Sequence, residues 1–173
     1  MKNLQLGIIG SAGVEEYKDD KPNKSLYIIA RALGKLIAKN NAILVCGGKG
    51  GIMTEAAKGA KENGGTTVGV VSGNLRGTSN EFIDVEVVSG MINCGEENLI
   101  ISMSDAIIAV GGGAGTLQEL ALAYRNNKPL VLIRGFGGWS DKVSQFLDER
   151  KTRKFETATT AQEAFKKLQV IML

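Results

Sequence analysis

Histidine is absent from this chain of 173 residues, and proline, cysteine and tryptophan are scarce. The lack of histidine excludes Ser-His-Asp and Cys-His catalysis and every metal site built on imidazole ligands. The two cysteines, Cys46 and Cys94, have no metal-ligand spacing, so we predict no metal site. Cys46 ends an apolar run, and we interpret it as a core residue whose thiol is free.

Long apolar runs and a strong charge of one sign are missing as well. No segment reaches the ~18 apolar residues of a membrane helix, and residues 1–10 lack the pattern of a signal peptide. The net charge of +3 is too small to favour a nucleic-acid or membrane partner. We therefore expect a cytoplasmic protein that folds as one domain over residues 1–173.

Glycine, by contrast, is abundant, with 23 of 173 residues, or roughly twice its average usage. Many glycines fall in three turns, at residues 10–13, 47–51 and 111–115, and each turn follows an apolar run. Glycine lets a ligand approach the backbone closely, and the helix that follows offers N–H groups without an intrahelical partner. Turns of this kind are typical of sites that hold phosphate.

Strands and helices alternate along the chain. Apolar and β-branched runs predict strands at residues 4–9, 42–46, 66–71, 106–110 and 129–133, an extended piece at 82–88 and an edge strand at 154–157. Apolar spacing predicts helices at residues 25–39, 52–63, 96–103, 116–125, 139–150 and 161–168, with a polar loop at 15–24. The alternation indicates an α/β fold, a single domain with a mostly parallel, doubly wound sheet and helices on both faces.

The common doubly wound order places the first strand at the centre of the sheet. Residues 4–9 would then lie between residues 42–46 and residues 106–110, and the three glycine turns would meet at the carboxyl edge. Open α/β sheets bind ligands at that edge. Three turns together favour a phosphate-bearing ligand, although each turn alone also fits a tight connection in a scaffold without ligand.

Thr116 and Glu119 allow two interpretations. T-x-x-E at the start of a helix is a capping box, which needs no ligand. Alternatively, both side chains lie on the polar face of the first helical turn and contact a phosphate or sugar. In either case the helix is expected to bury an apolar stripe of Leu117, Leu120, Ala121 and Tyr124.

Two motifs resemble those of the LOG-like superfamily. Residues 111–119, G-G-G-A-G-T-L-Q-E, are similar to its G-G-x-G-T-x-x-E motif, and residues 46–53, C-G-G-K-G-G-I-M, are similar to its G-G-x-x-G-x-M motif. The resemblance extends from residue 4 to about residue 134 and is closest to the branch that includes molybdenum cofactor carrier proteins. It implies a Rossmann-like fold, a nucleotide monophosphate or molybdopterin-type ligand, and a homodimer or homotetramer.

LOG phosphoribohydrolases are more distant members of the same superfamily. In them, the motif Glu and an Arg on the preceding helix act on the N-glycosidic bond of a nucleoside monophosphate. Glu119 matches that Glu, but the acidic stretch Glu96-Glu97-Asn98 occupies the region of the Arg, and Gly111 stands where the hydrolases have proline. Acidic side chains there would repel a ribose phosphate, so the sequence favours binding without hydrolysis.

The first prediction is therefore a carrier or sensor that binds a phosphate-bearing ligand. A phosphoribohydrolase with Glu119 as the catalytic residue is the alternative, and an oligomeric scaffold is the second alternative. Lys49 and Arg76 are loop charges that would contact an anion or stay in solvent, and a helix-capping role is the default for Glu96, Glu97 and Asn98. The predicted ligand-binding residues are Gly10, Ser11, Gly47, Gly48, Gly50, Gly51, Asn98, Gly112, Gly113, Gly115, Thr116 and Glu119.

Overall fold

The computed structural model describes residues 4–13, 24–92, 95–145 and 155–173. Its seven strands are β1 (Gln5–Gly10), β2 (Ile43–Cys46), β3 (Thr66–Val71), β4 (Val85–Val88), β5 (Ala106–Val110), β6 (Leu130–Ile133) and β7 (Glu156–Ala158). They form one sheet in the order β4-β3-β2-β1-β5-β6-β7, and every neighbouring pair is parallel. The prediction of a doubly wound sheet with the first strand at its centre is confirmed.

In the described part of the chain, six α-helices accompany these strands. They are α1 (Lys24–Lys39), α2 (Ile52–Lys61), α3 (Glu96–Met103), α4 (Ala114–Arg125), α5 (Gly138–Lys142) and α6 (Ala161–Ile171). Apolar side chains of α1, α2 and α6 pack on one face of the sheet, and those of α3, α4 and the α5 region pack on the other. The sheet is thus covered on both faces, as predicted.

Strand β5, next to the central strand, shows why the apolar runs are uniform rather than alternating. All five of its residues are buried. Ala106, Ile108 and Val110 belong to one apolar cluster, and Ile107 and Ala109 belong to the other. Because successive side chains of a strand point to opposite faces, a strand covered on both sides must be apolar at every position.

Several boundaries differ from the sequence prediction. The extended piece at residues 82–88 is a parallel edge strand, β4. The helix predicted over residues 139–150 is shorter, because α5 ends at Lys142 and a 3-10 turn continues to Gln145. Residues 146–150 and the predicted loop at residues 15–23 lie outside the described residues.

The topology also defines where a ligand site is expected. From β1 the chain proceeds to β2 on one side, whereas from the adjacent β5 it proceeds to β6 on the other. The connections beyond the carboxyl ends of β1 and β5 therefore diverge and leave a crevice between them. The glycine turns after β1, β2 and β5 border this crevice.

Candidate functional site

A cavity of about 200 Å³ lies at the carboxyl ends of β1, β2 and β5. Six of the residues predicted to bind ligand line it, namely Gly10, Gly47, Gly113, Gly115, Thr116 and Glu119. Complete sites for drug-sized ligands typically measure ~300–1,000 Å³. This cavity therefore has room for part of a nucleotide-sized ligand, and the remainder would extend beyond it.

The other six predicted residues do not line this cavity. Gly50 and Gly51 pack against the backbone of residues 11–12, where the Ile52 N–H donates to the Ser11 carbonyl over 3.0 Å. Gly51 has φ of +65°, and a side chain there would overlap the Ser11 carbonyl oxygen. The Gly48 carbonyl accepts from the Asn80 backbone N–H at 2.7 Å. The contacts of Gly50 and Gly51 hold the first two glycine turns against each other, and the bond from Asn80 joins the second turn to the loop after β3.

Asn98 and Gly112 are the remaining pair among those six. Asn98 is exposed on α3. Gly112 has φ of +102°, and a Cβ atom at this position would overlap the Thr116 side chain. A ligand contact at Asn98 or Gly112 remains a prediction.

The Gly111-Gly112 turn is held by hydrogen bonds from two directions. The Gly112 N–H donates to Ser11 Oγ, and the Gly111 N–H donates to Ser140 Oγ, each over 2.9 Å. The carbonyls of Gly111 and Gly112 accept from the N–H groups of Ser140 and Trp139, each at 3.0 Å. Because these backbone groups are bonded within the protein, the groups available to a ligand belong to the next segment, the first turn of α4.

The first turn of α4 begins two residues earlier than predicted. Gly113 is the N-cap residue, no side chain caps the helix, and the first intrahelical bond runs from the Leu117 N–H to the Gly113 carbonyl over 3.1 Å. The capping-box interpretation of Thr116 is therefore wrong, because this residue lies inside the helix rather than before it. The earlier N–H groups of the turn have no intrahelical acceptor and carry the positive end of the helix dipole.

The buried face of α4 also differs from the predicted stripe. Thr116 and Glu119 are only 4% and 8% exposed. The buried residues of the helix are Thr116, Glu119, Leu120 and Ala123, whereas Leu117, Ala121 and Tyr124 are half-buried. The two polar residues of the motif thus line the cavity from the buried side of the helix, whereas the ligand-contact interpretation places them on its polar face.

Three carboxyl groups gather at this cavity. Burial, and to a smaller extent the nearby charges of Glu97 and Glu96, together raise the pKa of Glu119 to about 8. Glu96 Oε1 lies 3.7 Å from Lys49 Nζ, whereas Glu96 Oε2 is buried and has no hydrogen-bond partner among the described residues. Glu97 Oε2 accepts from the Gly95 N–H at 2.7 Å. The site thus combines one ammonium, a helix N-terminus and three acidic side chains.

Comparison with known proteins gives the family. A model of the SLOG cluster4 family matches residues 3–165. The chain belongs to the SLOG cluster4 family. An uncharacterised protein of Archaeoglobus fulgidus is 36% identical over 141 residues, which are 78% of this chain and 87% of that protein. A cytokinin riboside 5′-monophosphate phosphoribohydrolase of Rhodococcoides fascians is 32% identical over 116 residues, or 61% of this chain and 58% of that enzyme.

Solved structures share the whole architecture of this SLOG cluster4 chain. The molybdenum cofactor carrier protein of Chlamydomonas reinhardtii superposes with a TM-score of 0.81 at 31% identity, over 98% of this chain and 99% of that protein. The molybdenum cofactor binding protein of Rippkaea orientalis superposes with a TM-score of 0.85 at 28% identity, over 100% and 99% of the two chains. The resemblance to this branch, and more distantly to LOG phosphoribohydrolases, is confirmed.

The sequence prediction missed half of the residues that line the cavity. They are Ala12, Lys49, Met53, Glu96, Glu97 and Ile100. Lys49 was weighed as an anion contact, and its position inside the second glycine turn was the available signal. Glu96 and Glu97 were assigned to capping, and only the packing of α3 beside α4 shows that they reach the cavity. Arg76 is exposed in the loop after β3 and is not part of the cavity lining.

Cys46 of this SLOG cluster4 chain lies next to the cavity without lining it. Its thiol is free and fully buried, and burial raises its pKa to about 12. A thiol with this pKa stays protonated, which fits the predicted core position and not a nucleophile. Within the described residues, no group of three Cys, Asp or Glu side chains is arranged to hold a metal ion, and no helix is long and apolar enough to cross a membrane.

Proposed function

We propose that this protein binds a phosphate-bearing nucleotide or a molybdopterin-type ligand at the carboxyl edge of its sheet, in a carrier or sensor role. The observation that carries the proposal is the convergence of three glycine turns, the α4 N-terminus and Lys49 on one cavity. The names of the carrier and binding proteins among the solved relatives support a ligand of this kind.

The phosphate would lie at the first turn of α4. The N–H groups of Gly115 and Thr116 precede the first intrahelical bond, and Thr116 adds a hydroxyl. Lys49 Nζ, which donates to Ser72 Oγ at 3.0 Å, would approach the same anion from the opposite wall. Glu119 would orient the turn or bond to a ribose hydroxyl. Backbone N–H groups and an ammonium are both strong donors to phosphate oxygens.

The acidic side of the cavity supports binding without cleavage. No arginine is among the described residues that line the cavity, and the acidic Glu96 and Glu97 are found there instead. A phosphoribohydrolase needs positive charge to hold and polarise its ribose phosphate, and these carboxyl groups oppose it. We therefore favour ligand binding without hydrolysis as the function of this site.

Calorimetry and product analysis on the same samples test this proposal. The protein is titrated with AMP, GMP and molybdopterin, and each mixture is then separated by chromatography. Saturable binding without free base or ribose phosphate supports a carrier or sensor. The absence of binding to every phosphate-bearing compound would contradict the proposal and favour a scaffold. Inorganic phosphate serves as the control for a purely ionic contact.

The second candidate function is that of a nucleoside 5′-monophosphate phosphoribohydrolase. The protonation state of Glu119 favours this candidate. With a pKa of about 8, this carboxyl group holds its proton at neutral pH. It would protonate the base nitrogen as the C–N glycosidic bond breaks, and it would recover a proton from the water that adds to C1′. The products are the free base and ribose 5-phosphate. Their release from AMP, and its loss in Glu119→Gln, would establish this alternative.

We further propose that the chain is one domain and that it works as a cytoplasmic homodimer or homotetramer. The support is the resemblance to the LOG-like superfamily together with the single continuous sheet. Light scattering coupled to gel filtration measures the oligomer, and a monomer at micromolar concentration would contradict this part of the proposal.

A further inference from the structure

Hydrogen bonding within α3 explains the acidic side chain of Glu97 but not that of Glu96. Glu97 bonds through Oε2 to the Gly95 N–H, at the N-cap of its own helix. A carboxylate at a helix N-terminus is a common stabilising feature. Glu96 makes no such bond, although it lies in the same helical turn and is only 8% exposed. Capping therefore accounts for Glu97 but not for Glu96, whose described partner is the ammonium group of Lys49 at 3.7 Å.

The surroundings of Glu96 leave one of its oxygen atoms unsatisfied. Oε1 has Lys49 Nζ at 3.7 Å, beyond hydrogen-bond distance, and Oε2 is buried with no hydrogen-bond partner in the described part of the chain. A buried acceptor without a donor keeps its full desolvation cost. Glu96 lines the cavity, so a rotation of its carboxyl group would bring this oxygen to a donor carried by a ligand and remove that cost.

The remaining walls near Glu96 indicate the shape of such a ligand. Met53 and Ile100 present apolar side chains, and Gly47 and Gly113 present backbone without a side chain. Apolar walls and bare peptide groups favour a flat ring over a hydrated cation. A metal ion is not favoured either, because the described carboxyl groups are not arranged as ligands of one.

We propose that the cavity recognises a ring edge with two adjacent N–H donors, the edge of the 2-amino-4-oxo ring that guanine nucleotides and pterins share, and that Glu96 is its acceptor. The inference rests on the proposed phosphate site, which holds the other end of the ligand. Two parallel donors match the two oxygens of a carboxylate, so the pairing is bidentate and specific. The edge of adenine presents one amino donor beside a ring acceptor, which opposes a carboxylate.

Titration calorimetry with three nucleotides tests the preference. GMP has both donors, IMP lacks only the 2-amino group, and AMP has a donor beside an acceptor. We expect GMP to bind about tenfold more tightly than IMP, and IMP more tightly than AMP, because a hydrogen bond to a charged group contributes roughly this much. Equal affinities for GMP and IMP would overturn the inference while leaving the phosphate site intact. No binding of any of them would overturn the proposed function as well.

The Glu96→Gln variant assigns the preference to this side chain. Glutamine has the same shape but replaces one acceptor by a donor, so the ratio of GMP to IMP affinity should fall to about one. The ratio compares two ligands on the same protein, so a general loss of stability does not imitate the result. Glu81→Gln removes an equal charge from an exposed position and should keep the wild-type ratio. An unchanged ratio in Glu96→Gln would overturn the assignment.

A pterin monophosphate distinguishes the two sources of the same edge. If it binds at least tenfold more tightly than GMP, the ligand is a pterin, and the opposite order identifies a guanine nucleotide. Both orders support the proposed edge, provided that Glu96→Gln weakens the tighter ligand. If the tighter ligand binds Glu96→Gln as well as wild type, the edge is not recognised by Glu96.

Discussion

The Oγ atom of Ser11 accepts a hydrogen bond of 2.9 Å from the backbone N–H of Gly112, although 101 positions of the sequence separate the two residues. Ser11 follows β1 and Gly112 follows β5, so the bond joins the two halves of the sheet at the crevice. Both residues are buried, and water cannot readily replace either partner. The geometry of the third glycine turn therefore depends on a residue of the first.

Ser11→Ala should lower both stability and ligand affinity. The variant removes this acceptor from the buried Gly112 N–H, at a cost of about 1–3 kcal/mol in the free energy of unfolding. Urea denaturation measures the loss, and calorimetry with GMP should show weaker binding because the α4 N-terminus is less well positioned. Ser102→Ala, at an exposed position, should change neither quantity. Wild-type stability in Ser11→Ala would show that the bond is dispensable.

Gly115→Ala should weaken ligand binding without lowering the stability of the protein. The nearest atom to a Cβ at this position is Glu97 Oε1 at 3.8 Å, so the methyl group fits the folded protein. Because alanine is the better helix former, stability should stay constant or rise by up to about 1 kcal/mol. The methyl group would nevertheless cover the helix N–H groups that face the cavity, and affinity for GMP should fall at least tenfold.

The matched control for Gly115→Ala is Gly13→Ala, where an added Cβ meets no atom within 4 Å. This variant should leave the affinity for GMP unchanged. Full affinity in Gly115→Ala would remove the first turn of α4 from the phosphate site.

Glu119 should make the protein less stable as the pH rises. The folded protein holds this proton up to a pKa of about 8, whereas the ordinary value is 4.5. The stabilisation is complete below pH 4.5 and is lost progressively as the pH rises to about 8. Glutamine is neutral throughout, so the free energy of unfolding of wild type minus that of Glu119→Gln should fall by roughly 2–4 kcal/mol across this range.

Urea denaturation of wild type and Glu119→Gln at several pH values, from 5 to 9 in about four steps, measures this difference. Glu81→Gln provides the comparison for an exposed acid and should show no such trend. A difference that does not vary with pH would mean that Glu119 titrates as an ordinary carboxyl group.

Gly34→Ala should destabilise the protein without touching the site. Gly34 packs against α2, and an added Cβ would overlap the Ala56 carbonyl oxygen. Forcing the two helices apart should cost about 1–3 kcal/mol. The neighbouring Lys35→Ala is exposed and should stay within about 0.5 kcal/mol of wild type. Differential scanning calorimetry checks both, and an unchanged melting temperature in Gly34→Ala would contradict the close helix packing.

Strands buried on both faces were the most predictable part of the fold. The bounds of β3 and β5 agree with the prediction, because short β-branched and apolar runs that lie between polar or glycine positions are typical of buried strands. The strand order also followed from the fold class. The convergence of the glycine turns was then a consequence of the order, since parallel strands bring their carboxyl ends to one edge.

The start of α4 shows where local sequence is insufficient. T-x-x-E occurs at Thr116 and again at Thr160, and it caps a helix only at the second, where Thr160 Oγ1 accepts from the Glu163 N–H at 3.2 Å. At the first, glycine occupies the N-cap position and the motif turns inward. Tertiary contacts decide between the two outcomes, and the T-x-x-E motif alone does not specify these contacts.

The position of Glu96 was unpredictable for a similar reason. A glutamate in the first turn of a helix normally faces solvent and interacts favourably with the helix dipole, and the sequence prediction rests on this role. In the fold, α3 lies beside α4, and the side chain of Glu96 is enclosed at the cavity. No periodicity in the sequence distinguishes it from Glu97.

The bracing of the Gly111-Gly112 turn by Ser11 on one side and Ser140 on the other has a kinetic consequence. A turn tied at both ends has little freedom to fold over an arriving molecule. Encounter would then be limited by diffusion and by the attraction of charge, with no slow closure step. Ligands of different affinity should therefore have similar association rate constants and differ mainly in their dissociation rate constants.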